Sequence, residues 1–166
     1  TGYVYELYKK TQVNMSLAQK VTLNKQFDGL LALAKQDAGG IKENVWCALD
    51  TSDSMESRVV GDISALDICV SLGIFFSSLN EGSFKDHVIM FDSTSRKLKL
   101  SGTFTDKAMQ VPSDSMGSTN FQSVIDEIVR IKTSNPNIPI EDYPTTLLIC
   151  SDMSFNNSGS DSNYNV

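Results

Sequence analysis

The sequence is poor in the features that mark most specialised classes of protein. No Lys/Arg run longer than Lys9-Lys10 occurs, and 14 basic against 20 acidic residues leave a net charge of -6. That excludes a surface-wide attraction to nucleic acid or anionic lipid, though not a local basic patch. The longest apolar stretch, around Ile74–Phe76, is far below the roughly 20 residues a membrane span needs, so no membrane partner is expected. No signal peptide is visible, although the chain opens on Thr1 rather than Met, so a segment could have lain upstream. Only three cysteines are present, Cys47, Cys69 and Cys150, an odd number without a C-x-x-C pair. They offer neither a disulfide framework nor a zinc site. Each sits inside an apolar run, as buried thiols do, which points to a reducing, cytoplasmic compartment.

Catalytic signatures are missing as well. There is no G-x-S-x-G elbow and no G-x-x-x-x-G-K-[ST] phosphate loop. Asp50 follows an apolar strand, as a phosphoryl-accepting aspartate would, but such a site wants a second Asp two residues on, and Ser52 stands there. The single histidine, His87, begins a strand and reads as a strand-end or surface residue rather than a general base. These absences argue against an enzyme.

What is present is one domain's worth of α/β pattern: 166 residues, 40% hydrophobic and 20% charged. Residues 1–14 form a polar and aromatic lead-in without period. Leu23, Phe27, Leu30, Leu31 and Ala34 recur at helical spacing between Ser16 and Lys35, with Gly39-Gly40 as the stop. Val45–Leu49 reads as a buried parallel strand, and a helix follows over about Ile63–Leu79. His87–Phe91 and Lys97–Leu100 read as an antiparallel hairpin whose second strand lies at an edge. A loop over Pro112–Ser118 precedes a helix with Phe121, Val124, Ile125, Ile128 and Ile131 as its buried stripe. Thr146–Cys150 is a last apolar strand, and Asn156–Asn165 a polar, mobile tail. Residues 1–40 are therefore expected as a helical extension, 41–155 as the domain proper and 156–166 as tail.

Three polar loops in this plan share the rim at the carboxyl ends of the strands, where open α/β sheets bind ligands. Asp50, Ser52 and Ser54 follow the first strand, Thr119 lies in the second loop, and Asp152 follows the last strand. Two carboxylates and three hydroxyls, with no soft ligand, describe a site for a hard cation such as Mg²⁺ or Mn²⁺. So few anionic ligands leave positive charge on the ion, able to attract a partner's carboxylate. The plainer reading makes these loops mere caps, with Thr119 or Asn120 as a helix N-cap and Asp50 as a turn residue. Asp53 and Glu56 read as solvated loop charges. Met55, Met116, Gly117 and Ser118 lie in the same loops as candidate partner contacts, although loop packing explains the two methionines equally well.

Asp50-x-Ser52-x-Ser54 after Val-Trp-Cys-Ala-Leu, Gly117-Ser118-Thr119-Asn120-Phe121, and Ser151-Asp152 after Leu147-Leu148-Ile149 resemble the metal-ion-dependent adhesion site of von Willebrand factor A-like (vWA) domains. The phrases Gly-Ser-Thr-Asn-Phe-Gln and Ser-Asp-Met-Ser-Phe further resemble an intracellular vWA-bearing family related to the Ro RNA-binding autoantigen. The resemblance implies direct metal contact by Ser52, Ser54 and Thr119, with Asp50 and Asp152 acting directly or through water. It implies a Rossmann-like sandwich, mostly parallel with one antiparallel edge strand. A vWA sheet usually has six strands, so this one is expected to be truncated after its fourth, with a second chain or segment completing it. The function implied is a metal-dependent module binding a protein ligand through an exposed Asp or Glu. The alternative is a scaffold in a Ro-like ribonucleoprotein, where RNA is held only by a neighbouring domain.

Overall fold

A computed structural model describes residues 3–37, 43–112 and 117–153. Its centre is a four-stranded sheet in the order β5-β4-β1-β6. β1 (Val45–Asp50) lies parallel to both β4 (His87–Phe91) and β6 (Thr146–Cys150), while β5 (Ser95–Lys99) returns antiparallel along β4. The fold is thus mixed α/β with a mostly parallel sheet and one antiparallel edge pair, as the hydrophobic pattern predicts. Strand alternation divides the core. Cys47 and Leu49 of β1 and Val88 and Met90 of β4 face one layer of helices. Trp46, Ala48, Ile89 and Phe91 face the other. Burial on both faces is what makes these strands continuously apolar.

One layer consists of α1 (Val4–Thr11), α2 (Leu17–Asp37), α3 (Ala65–Leu79) and α4 (Phe104–Gln110), and the other of α5 (Gln122–Ser134). The lead-in read as irregular is the helix α1. Eight residues give barely two turns, too few for a visible period, yet Leu7, Tyr8 and Thr11 are buried. Lys9 Nζ also reaches Asp67 Oδ2 of α3 at 3.0 Å. α2 follows its predicted span closely, and Ser16 and Gln19 cap its start reciprocally, at 2.8 and 3.2 Å. Its expected stop at Gly39-Gly40 and the Asn156–Asn165 tail lie outside the described residues.

α3 begins two residues later than its apolar pattern suggests. Ile63–Ser64 is spent as β3, which pairs with β2 (Arg58–Val60) in a small hairpin turning at Gly61 (φ 59°). Ser64 and Asp67 then cap α3 reciprocally. α4 has no counterpart in the sequence reading. A Thr103–Asp106 cap starts it, and Phe104 stacks on Phe27 at 4.3 Å. On α5, Val124 and Ile131 are buried and Phe121 and Ile128 partly so, but Ile125 is 38% exposed and leaves the predicted stripe. Glu127 takes a place on the inward side, where it accepts the edge N–H of Lys97 at 3.2 Å and pairs with Arg130.

The connections decide where a site can form. α3 carries the chain from β1 to β4 on one face, and α5 lies on the other face along the path from β5 to β6. β4 and β6 flank β1 on opposite sides, so the chain diverges at the carboxyl end of β1, the position at which open α/β sheets form a ligand-binding crevice.

Candidate functional site

Asp50 ends β1 at that crevice and is completely buried. Its Oδ1 accepts the Ser52 N–H at 2.9 Å, an Asx turn, and its Oδ2 accepts the Ser151 hydroxyl at 2.6 Å. Both donors are neutral. Among the described residues no Lys or Arg pairs with this carboxylate. A buried carboxylate costs several kcal/mol unless hydrogen bonds and an opposite charge compensate it, and here only the first is supplied.

The loop after Asp50 is held stiffly. Thr51 donates its N–H (2.8 Å) and its hydroxyl (3.2 Å) to the Phe91 carbonyl, extending the β1–β4 pairing past the strand. A 3-10 turn over Asp53–Glu56 follows and leaves the Ser52 and Ser54 hydroxyl oxygens 3.3 Å apart. Asp53 and Glu56 are exposed. Met55 is only 1% exposed and belongs to the core, where its Sδ accepts the Asp152 N–H at 3.3 Å. Of its two readings, loop packing is the one this burial supports, and it joins the first loop to the third.

The second loop reaches the rim through β4. Asn120 donates its N–H to the Asp92 carbonyl at 2.7 Å and its side-chain amide to the Ser93 carbonyl at 3.3 Å. Its Oδ1 accepts the Ser123 N–H, so Asn120 caps α5. Thr119, one residue earlier, is buried, while Gly117 and Ser118 are exposed. Gly117 has φ 83°, a left-handed conformation that favours glycine. Met116 lies outside the described residues.

In the third loop, Ser151 accepts the Met153 N–H while donating to Asp50, and Met153 takes φ 61° to close that turn. Hydrogen bonds thus tie Asp50 to Ser52 and Ser151, Ser52 to Ser54, and the Asp152 backbone to Met55, while Asn120 anchors the loop that carries Thr119 to the end of β4. Residues 45–165 match a family described as a domain of unknown function, DUF7788. The chain belongs to that family. No curated protein and no solved structure matches it. The DUF7788 match begins at the first residue of β1 and takes in all three rim loops, whereas α1 and α2 precede it.

Two residues of the DUF7788 rim, Ser151 and Asp92, are not among the residues the sequence pattern singles out. In the sequence Ser151 stands out only as the neighbour of Asp152, yet it is a direct partner of Asp50. Asp92 follows an apolar strand just as Asp50 does, a signal that was available. Of the two N-cap candidates, Thr119 and Asn120, it is Asn120 that caps α5, and it anchors the loop to Asp92 and Ser93 as well. Two titratable clusters lie close by or below. Behind the rim, burial pushes Cys47 up to about 12 and raises Cys69, whose thiol also lies 3.8 Å from the Asp50 carbonyl. A hydrogen bond from Cys69 lowers Cys150. At the opposite end of the sheet His87 starts β4 as expected but is buried, and desolvation lowers its pKa.

Proposed function

We propose that the rim holds one divalent cation, Mg²⁺ or Mn²⁺, on Asp50, Ser52, Ser54, Thr119 and Asp152, and that the module is a non-enzymatic, metal-dependent binder of a partner's Asp or Glu. The observation that carries this reading is the buried carboxylate of Asp50, held by neutral donors, with no Lys or Arg paired to it among the described residues, and flanked by two hydroxyls. Oxygen ligands on adjacent vertices of an octahedral Mg²⁺ site stand about 2.9 Å apart. The 3.3 Å between the Ser52 and Ser54 oxygens is close to that spacing. A bound ion would supply the missing positive charge and, with few anionic ligands, leave part of it for a partner's carboxylate.

The sheet order and the three loops support a vWA-like, Rossmann-like reading of this α/β fold. On β6, Ile149 is 39% exposed and Leu147 and Leu148 are half-buried, whereas β1 is sealed. That contrast supports a second chain or further segment covering this edge. The buried thiols fit a reducing compartment, and among the described residues no helix is long and apolar enough to cross a membrane.

Calorimetric titration with Mg²⁺ and with Mn²⁺, comparing the wild type with Asp50→Ala and Thr119→Ala, tests the site. Saturable binding that both substitutions abolish in folded protein is expected. Heat-silent titration of a folded wild type would reduce the three loops to turns and caps. Salt-sensitive RNA binding by this chain alone would displace the protein-ligand reading in favour of a ribonucleoprotein scaffold.

A further inference from the structure

The overall charge excludes a basic surface but leaves room for a local basic patch, and the N-terminal helices supply one. From Leu7 to Phe27 the chain carries Lys9, Lys10, Lys20 and Lys25 and no acidic residue, in a protein of net charge -6. Lys9 is spent on Asp67, and Lys20 is within electrostatic reach of Asp106 on α4. Among the described residues no acid pairs with Lys10 or Lys25. Beside Lys10, the end of α1, the turn after it and α2 form a groove of about 420 Å³ with Val13, Met15, Ala18 and Leu23 as its apolar wall. Ala18, Thr22 and Gln26 line it over two turns of α2, about 12 Å. Lys25 lies three residues beyond Thr22 and seven beyond Ala18, on the flank of the same helix face. A second groove, of about 480 Å³, opens between the end of α1 and Ala108, Met109 and Val111, and Val13 is a wall of both. Val13 is 67% and Met109 76% exposed.

We propose that this double groove docks an amphipathic helix of a partner protein, one whose apolar stripe is flanked by Asp or Glu. Charge selects the flanks, because Lys10 and Lys25 border an apolar floor with no acid of the chain to answer them. Geometry selects a helix. A small ligand is enclosed on most sides, whereas walls this exposed cover an occupant on one side only. Those walls are helices and the turn between them, so they offer an extended peptide no strand edge to pair with. A helix presents anchors at i, i+4 and i+7, a spacing suited to a groove two turns long, and one anchor can enter on each side of Val13. Met15 and Met109 are unbranched and can adapt to such anchors. A second copy docking by this same patch would set Lys10 and Lys25 against their own counterparts. A nucleic-acid strand would find no aromatic ring or Arg in either wall on which to stack. None of these residues belongs to the rim, so the surface stands whether or not the rim holds an ion.

The test is fluorescence anisotropy of a labelled synthetic helix with Leu at i, i+4 and i+7 and Glu along its flanks. It is titrated with the folded chain in chelator, so that no ion at the rim can recruit the glutamates. Saturable binding that weakens with salt is expected, with a loss of about fivefold when Gln replaces the glutamates. Val13→Glu and Lys10→Glu, both at exposed positions, should each weaken binding about tenfold. Val129→Glu, at an exposed apolar position on α5 across the sheet, should leave it unchanged. The proposal fails if the peptide does not bind, if the Gln peptide binds as tightly, or if Val129→Glu does as much harm as Val13→Glu. It fails equally if the chain sediments as a dimer that Val13→Glu dissolves, which would make a second copy the occupant. Displacement of the peptide by a single-stranded RNA oligonucleotide or by phosphatidylserine vesicles would also overturn it.

Discussion

The two ends of the sheet handle a sequestered carboxylate in opposite ways. Below β4, Asp86 Oδ1 meets Lys107 Nζ at 2.6 Å, and Lys107 also donates to Ser78 at 2.9 Å. At the carboxyl end of β1, Asp50 is more deeply buried, and among the described residues its donors are an amide and a hydroxyl. The first arrangement is electrically complete within the chain. The second leaves one negative charge inside, next to hydroxyl oxygens and in the crevice where ligands of α/β sheets bind.

Removing Lys107 gives the largest expected effect. Lys107→Met strands Asp86, and breaking a pair this buried should cost about 3 kcal/mol in urea unfolding, independent of Mg²⁺. An equal loss that Mg²⁺ restored would erase the distinction between the two ends. Next comes the cation itself. Mg²⁺ at a hundredfold excess over its dissociation constant should stabilise the wild type by about 2.7 kcal/mol. Asp50→Asn should lose that gain while being no less stable than wild type in chelator, because the substitution removes a buried charge without removing its shape. A chelated Asp50→Asn protein that melts well below wild type would mean that the carboxylate already has its full compensation inside the chain.

Smaller effects separate the hydrogen bonds that serve the two acids. Ser151→Ala takes a donor from a carboxylate that has no counter-ion and should cost about 2 kcal/mol. Ser78→Ala leaves the Lys107–Asp86 pair intact and should cost about 1 kcal/mol. Equal losses, read as urea midpoints in chelator, would show that Asp50 depends no more on its neutral donors than Lys107 does.

Much of this contrast was legible in the sequence, and the rest was hidden for identifiable reasons. Val45–Leu49, His87–Phe91 and Thr146–Cys150 are apolar because both their faces are covered, and that pattern reveals strands and their C-terminal loops together. Asp50, Ser52, Ser54 and Asp152 could be placed at one rim on that basis. The partners of Asp50 could not. Ser151 is linked to it across 101 residues, by strand pairing that no local pattern encodes. α1 and α4 are too short to display a period, and β3 took two residues from a helix whose apolar pattern continues through them. Val124, Glu127 and Ile131 share one helical face and Ile125 lies off it, so the polar Glu127, which serves the edge strand, holds an inward place that hydrophobicity alone does not mark. Lys107 stood unremarked because a lysine in an unrecognised helix looks like surface.

The smallest effect separates the two ends by pH. His87 is the sole histidine and sits beside Asp86 at the lower end, its ring facing Phe84, with Lys97 and Lys99 on the neighbouring strand and Nδ1 at 3.0 Å from the Lys85 carbonyl. Desolvation, aided by the two lysines, lowers its pKa below the unfolded value. Below the unfolded pKa of about 6.5 the unfolded chain therefore binds the proton more readily than the folded one. Stability should hold above that pH, decline as pH falls through 6.5, and level off once the folded state also protonates. The carboxylates that hydrogen bonds hold low, Glu127, Asp106 and Asp142, contribute their own loss only further into acid. Urea midpoints between about pH 7.5 and 5.5 isolate the histidine, and His87→Gln should flatten the slope in that window. A slope that survives the substitution would move the pH-sensitive group away from the lower end. A slope that reverses sign would mean that His87 is stabilised as a cation, which its burial among lysines opposes.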